Sequence, residues 1–394
     1  METFLKFAIP PIISMIAVRW VFFRVLRLAK QKGLVDNPDA RKLQKEPVPV
    51  MGGMAVFFGL IVGMMIAIIT IDCTIISPII LCGSIMFFVG MLDDFLWMSP
   101  WSRIVIEMFT ITCLVLGTSL GIDTLQGLWG IYQLPQWLVL PLTIFAGVGI
   151  INAINMIDGV NGLSSGLCIL ASLMFAQLFY LREDEANCIL ALCMAASLIP
   201  FLLHNVFGKS SKMYIGDSGT MLMGIIVVWF VIYLLNSNFS EQHLLLRPNM
   251  NLCAVALSIE SVPIFDTLRV MTTRILNGRS PFSPDKTHLH HMFIGLGVSH
   301  GVTSISMILI NWVIATIAYV SYRMGASLET QLYLVIAAGV ILVWSSYWFL
   351  HYHTTHKTRF ATFIRRFYLM GYFGSDKMWK RIGDYFDKGE IPIE

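Results

Sequence analysis

"IISPIILCGSIMFFVGMLDDFLW", residues 75–97, decides the fold class. Residues 75–92 hold no charged side chain, and as a helix rising about 1.5 Å per residue they reach roughly 27 Å, close to the thickness of a bilayer's hydrocarbon core. Two adjacent aspartates follow at once. Runs of this kind recur from residue 4 to residue 353. The chain of 394 residues is 56% hydrophobic and only 13% charged, about half the charge of a soluble domain, and its mean hydropathy is +0.73. The expected fold is therefore all-α, a polytopic integral membrane protein.

At about 20 apolar residues per span, about eleven transmembrane helices are expected, near 4–26, 52–71, 75–92, 103–120, 136–153, 163–181, 186–204, 218–237, 251–273, 301–322 and 331–353. The first run has no small-residue cleavage site and reads as a span, not a signal peptide. The seven cysteines lie in or beside apolar runs without CxxC spacing, as small packing residues do. Lys and Arg concentrate in the odd-numbered connections and the C-terminal segment, so those should face the cytoplasm and the N-terminus should face out. Residues 1–356 read as a membrane domain and 357–394 as a cytoplasmic tail. In that tail basic and aromatic residues alternate ("RFATFIRRFYLMGYF", 359–373), as in helices that lie on anionic lipid.

Every unusual polar cluster falls in an odd-numbered connection. Asp93 and Asp94 end the third span, where a hard divalent cation would relieve their repulsion and a solvated helix end is the plain alternative. In "NAINMIDGVNGL", 152–163, Asn152, Asn155 and Asp158 recur every three residues, so neighbours share a helix face. Such groups at membrane depth need partners or a wet cavity. In "MYIGDSGTMLMG", 213–224, Asp217 begins a span, and a simple N-cap explains it as well as a metal ligand does. "RSPFSPDKTHLHH", 279–291, gathers Arg279, Lys286, His288, His290 and His291. No cysteine accompanies them, and donors to phosphate or to a nucleotide ring fit better than a zinc site. Lys45 precedes a Gly-rich entry into span two. Arg103 and Glu107 form an i, i+4 pair that reads as a structural salt bridge, although Arg103 could also meet a phosphate. Asp266 either joins the site or pairs with Arg269 or Arg274.

Taken as a series, Asp-Asp, Asn-x-x-Asn-x-x-Asp-Gly, Gly-Asp-x-Gly and His-x-His-His, in this order from about Leu34 to His291, resemble the polyprenyl-phosphate N-acetylhexosamine-1-phosphate transferases (glycosyltransferase family 4). The spelling "SPFSPDKTHLHH" is most similar to the branch that uses UDP-N-acetylglucosamine. Two positions depart from that branch: Trp97 stands where it often has a third acid, and Asn161 where it has Asp.

The resemblance implies transfer of a sugar-1-phosphate from a UDP-N-acetylhexosamine to undecaprenyl phosphate with release of UMP, the initiating step of a cell-surface polysaccharide such as lipopolysaccharide. It also implies a bacterial inner membrane, a cytoplasm-facing site and Mg2+, with Mn2+ able to substitute. By the same likeness Asp217 would hold the metal with Asp93 and Asp94, and these three with Asp158 would be the catalytic set. Lys45, Arg103, Asn152, Asn155, Asn161, Arg279, Lys286, His288, His290 and His291 would bind substrate. The implied partners are the nucleotide sugar, undecaprenyl phosphate and membrane lipids, not nucleic acid, with a homodimer left open. Two readings compete. Another UDP-N-acetylhexosamine fits the same chemistry, and an ion-coupled transporter fits the span count. A transporter would place its polar groups near the midplane, often within an inverted repeat, and no repeat is evident here.

Overall fold

The computed structural model describes residues 2–36, 47–237, 249–281, 287–369 and 376–388. Lys45 and Lys286 lie outside the described residues. The membrane helices are α1 (Glu2–Lys32), α2 (Gly52–Thr70), α3 (Ser77–Leu96), α4 (Pro100–Thr118), α5 (Gln136–Met156), α6 (Leu163–Leu181), α7 (Glu185–Phe207) and α8 (Gly216–Leu234). After these come α9 (Leu252–Ile259), α10 (Ser261–Leu276), a short α11 (Leu289–Gly295), α12 (His300–Arg323) and α13 (Leu328–Gly339). A π-turn at Val340–Ser345 joins α13 to α14 (Ser346–Thr355). Two tail helices follow, α15 (Arg359–Leu369) and α16 (Asp376–Asp387).

Among the described residues ten helices are long and apolar enough to cross a membrane. The span expected over 251–273 is not one of them, because it is broken into α9 and α10 at Glu260. Asn311 of α12 fills the break: its side chain donates to the Ile259 carbonyl at 2.8 Å and accepts from the Val262 N–H and the Ser261 hydroxyl, each at 3.0 Å. Backbone groups freed inside a bilayer need such partners.

The core is organised around α8. It is apolar on every side, and all its residues from Ser218 to Leu234 are buried, as expected of a helix ringed by other helices. Lipid is as apolar as leucine, so close packing rather than water exclusion holds such helices together, and small residues mark where backbones touch. A Cβ on Gly90 of α3 would sit 2.4 Å from the Asp217 carbonyl, and one on Gly53 of α2 would sit 2.4 Å from the Gly219 nitrogen. These two glycines draw α2 and α3 against the first turn of α8. In the first connection Val35–Asp36 and Val48–Pro49 pair as an antiparallel ribbon, which Val50 extends to Tyr214 by a parallel bridge. All seven cysteines are free.

Candidate active site

A cavity of about 730 Å3 opens at the end of the bundle where the odd-numbered connections meet. Helix alternation brings the C-terminal ends of α3 and α5 to this level, together with the starts of α4, α6 and α8. Lining residues include Asp93, Asp94, Arg103, Asn155, Asp158, Asn161, Asp217 and His291. Asn152, Arg279, His288 and His290 are not among them.

The adjacent aspartates do different things. Asp94 reaches across to α8, where its two oxygens accept the backbone N–H groups of Asp217 at 2.8 Å and Ser218 at 3.1 Å. It thus caps the N-terminus of α8 from a neighbouring helix, the role that a side chain within α8 was expected to play. Gly216, with φ of 73°, makes room for it, since a Cβ there would lie 2.6 Å from Asp94 Oδ2. Asp93 turns the other way. One oxygen accepts the Met98 N–H at 2.8 Å, fixing the left-handed turn at Trp97, and the other faces Arg103 Nη1 at 3.3 Å. The Asp93 carboxyl group also lies within hydrogen-bonding reach of Asp217. Asp217 is held in turn by the Asn155 amide at 2.5 Å, which also meets the Thr220 hydroxyl at 2.8 Å.

Behind Arg103 stands a buried carboxylate that the i, i+4 spacing foreshadowed. Glu107 is 1% exposed and accepts from the Asn152 amide at 2.6 Å. Its other oxygen is 3.8 Å from Arg103 Nε, too far for a hydrogen bond. The remaining contacts of Arg103, to Asp93 and to the Asn152 side-chain oxygen at 3.4 Å, are also long. The guanidinium is thus oriented by acids yet has hydrogen-bonding capacity left for an anion in the cavity. Asn152 serves this support and does not face the cavity.

Asp158 borders the cavity and is exposed to it. The protein packed around the cavity wall displaces enough water to push its carboxyl up to about 6, against the Ser164 hydroxyl that donates to it at 2.5 Å and with help from the charge of Asp217. Asn161 uses its backbone, donating to His300 Nδ1 at 3.4 Å and accepting from Ser304 at 2.7 Å. Tyr214, not singled out by the sequence, lines the wall, with its hydroxyl pushed up to about 12 by burial and by the charges of Asp36 and Asp158.

The histidines form a second layer. His288 Nδ1 meets Asp266 Oδ2 at 2.9 Å, and Arg269 donates to the other oxygen at 2.8 Å. Asp266 therefore joins the histidine cluster through Arg269 and His288. Arg269 lies over the Tyr347 ring, 3.6 Å from its centroid. His290 is buried, packs flat on His288 with centroids 5.6 Å apart, and neither ring nitrogen has a hydrogen-bond partner. Burial, followed by the neighbouring histidines, holds its pKa well below the ordinary value, so it packs as a neutral ring against Gly159, where a Cβ would meet Nε2 at 2.4 Å. Only His291 reaches the cavity. Arg279 is exposed.

No group of three or more His, Cys, Asp or Glu side chains among the described residues is poised around a common metal position. Mg2+, however, is commonly held by one or two carboxylates with the rest of its shell from water and substrate phosphates. Asp93 and Asp217, two hard oxygen donors in contact, fit that pattern; Asp94 also lines the cavity, with each of its oxygens already accepting one N–H of α8.

Residues 76–235 match the family described as Glycosyl transferase family 4. The match spans 160 of the 394 residues. That region contains the Asp93–Asp94 pair, the Asn152–Asp158 stretch and Asp217, the parts that meet in the cavity. Curated relatives extend the likeness beyond it. The chain is 29% identical over 321 residues to a probable undecaprenyl-phosphate N-acetylglucosaminyl 1-phosphate transferase of Bacillus subtilis, covering 81% of this chain and 86% of the relative. It is 29% identical over 281 residues to the undecaprenyl-phosphate alpha-N-acetylglucosaminyl 1-phosphate transferase of Escherichia coli K12, covering 70% and 73%. A Yersinia pestis protein with the same description is 28% identical over 350 residues, covering 88% and 90%.

Proposed function

We propose that this protein transfers N-acetylglucosamine-1-phosphate from UDP-N-acetylglucosamine to undecaprenyl phosphate, with UMP as the leaving group. The observation that carries the reading is the meeting of Asp93, Asp217, Arg103 and Asp158 in one polar-lined cavity at a single end of an apolar bundle. A nucleotide sugar from water and a lipid phosphate from the leaflet can both reach such a place. The positive-inside bias of the odd-numbered connections supports a cytoplasmic location for that end, where nucleotide sugars are made, and the bacterial sources of the relatives support a bacterial cytoplasmic membrane.

In the proposed reaction an oxygen of the lipid phosphate attacks the β-phosphorus of the donor. The bond from that phosphorus to the bridging oxygen breaks, and its electron pair leaves on UMP. The acceptor has a second pKa near 6 and needs no strong base at neutral pH. Asp93 would orient it and take any residual proton, while Arg103 would face the phosphate oxygens on which charge accumulates. Asp158 and Asn155 would shape the donor site, with His291 at its edge. Asp93 and Asp217 would hold Mg2+, which when bound neutralises charge on the transferring phosphoryl group. The test is a membrane assay with undecaprenyl phosphate, Mg2+ and a panel of UDP-sugars. Lipid-linked product with UDP-N-acetylglucosamine is expected, and product with a different UDP-sugar alone would overturn the donor assignment. Exchange of labelled UMP into the donor without lipid would replace direct attack by a covalent intermediate.

A further inference from the structure

The α7–α8 connection, residues 208–215, leads into the cavity wall formed by Tyr214, Ile215, Gly216 and Asp217. It begins Gly208-Lys209-Ser210-Ser211, and three successive backbone N–H groups there converge on one carboxylate from the far end of the chain. Asp387 accepts from Lys209 at 3.2 and 3.3 Å, from Ser210 at 3.4 Å and from Ser211 at 3.0 Å, and the Ser211 hydroxyl donates at 2.7 Å. Successive amides of this kind make a nest for an anion. Burial alone would raise the Asp387 carboxyl, but the Ser211 hydroxyl and the three amides outweigh it and hold the group below its ordinary value.

The carboxylate is badly placed for its own helix. Asp387 is the last residue of α16, where the helix dipole disfavours an acid, so its favourable interactions come from the connection it touches. Among the described residues the contact continues through rings and close backbone packing. Phe386 stacks on Phe207 with centroids 6.0 Å apart and meets the His204 ring edge-on at 5.2 Å. Gly383 lies against the Phe207 carbonyl, which a Cβ would approach to 3.2 Å. From the opposite side the Lys30 ammonium of α1 donates to the Ser210 carbonyl at 2.8 Å. Arg381, Asp384, Tyr385 and Lys388 remain exposed on the far face of α16.

We propose that Asp387 is a positioning residue, and that α16 latches the α7–α8 connection so that Tyr214 and Asp217 are held in register with the α3 side of the cavity. The tail is then a working part of the site and not solely a lipid-surface helix. The kinetic half of this proposal rests on the transferase reading; the structural half does not.

The test uses the full-length protein in nanodiscs, comparing wild type with Asp387→Ala, Asp387→Glu and, as a control on the exposed face, Asp384→Asn. Amide hydrogen exchange over 209–217 is measured beside kcat and KM for the nucleotide sugar. In Asp387→Ala, exchange at 209–211 should quicken roughly tenfold, the worth of about one lost hydrogen bond. The change should spread to 213–217, and KM should rise severalfold, with partial recovery in Asp387→Glu and none of these effects in Asp384→Asn. Unchanged exchange at 209–211, or a change confined there with 213–217 and KM unaltered, overturns the latch. A wild-type protein without transfer activity would sink the functional reading alone, because the exchange pattern would still decide the latch.

Discussion

The division of labour between Asp93 and Asp94 can be tested by exchanging each in turn. Asp94→Ala removes one carboxylate and leaves the Asp217 and Ser218 N–H groups, now 2.8 and 3.1 Å from their acceptor, without a protein partner. Loss of an N-cap costs about 0.5–2 kcal/mol, and a hydrogen bond to a charged group contributes about 1.5–3 kcal/mol. Water in the cavity replaces part of two such bonds, so a loss of about 2–3 kcal/mol is expected, a shift of roughly 30- to 150-fold in the folded ratio. Asp93→Asn should behave oppositely. Its amide oxygen can still accept from Met98, and losing its ion pair with Arg103, long at 3.3 Å, is offset by removing a like charge beside Asp217, so stability should fall less than in Asp94→Ala while turnover falls about 100- to 1,000-fold. Gly216→Ala should imitate Asp94→Ala, because the new methyl would press on Asp94 Oδ2 in a left-handed backbone. The assay is the apparent melting temperature in detergent at one fixed scan rate, paired with initial rates. An Asp94→Ala protein that melts like wild type, beside an Asp93→Asn protein that does not, would refute the assignment.

Three further outcomes follow from the geometry. The Asp158 carboxyl, raised to about 6 from an ordinary 3.8, keeps its proton in the fold after the unfolded chain has lost its own, so its ionisation costs stability in full only above pH 6, a cost that its exposure to the cavity keeps small; Asp158→Asn should melt slightly higher than wild type at pH 8, with the gap closing as pH falls from 6 towards 4. Gly159→Ala should cost about 1–3 kcal/mol by forcing a methyl against the buried His290 ring, whereas Gly149→Ala, with nothing within 4 Å, should melt like wild type. Removing the charge of Asp266 leaves the buried Arg269 unpaired, and breaking one side of such a pair costs about 3–5 kcal/mol; a sharp fall in folded yield of Asp266→Asn is expected, and normal yield with a normal melting temperature would contradict it.

Hydropathy made the spans legible because each apolar run is its own signal, and strict alternation then carried four separate polar clusters to one end of the bundle. What pattern could not reveal depends on partners distant in the chain. Asp93 and Asp94 are neighbours on one helix turned about 100° apart, and only the position of α8 decides which of them caps it. The break at Glu260 does not interrupt the mainly apolar run, and although Pro263 suits the first turn of a new helix, the hydrogen bonds that stabilise the break come from Asn311, distant in the chain. Glu107 was visible as a partner for Arg103, but its link to Asn152 was not, so Asn152 read as a ligand-facing residue. The histidine run suggested three equivalent donors; burial separates them, with His288 tied to Asp266, His290 packed on Gly159 and His291 alone at the cavity. Asp387 was hidden within a basic tail whose overall charge pointed to lipid.

Purified protein in proteoliposomes containing undecaprenyl phosphate, supplied with UDP-N-acetylglucosamine and Mg2+, tests the central claim most directly when UMP and lipid-linked sugar are counted in the same reaction. Equal amounts of the two products from wild type, and neither from an Asp217→Asn protein that still folds, is the predicted result. UMP without lipid-linked sugar, or undiminished transfer by the Asp217→Asn protein, would contradict it.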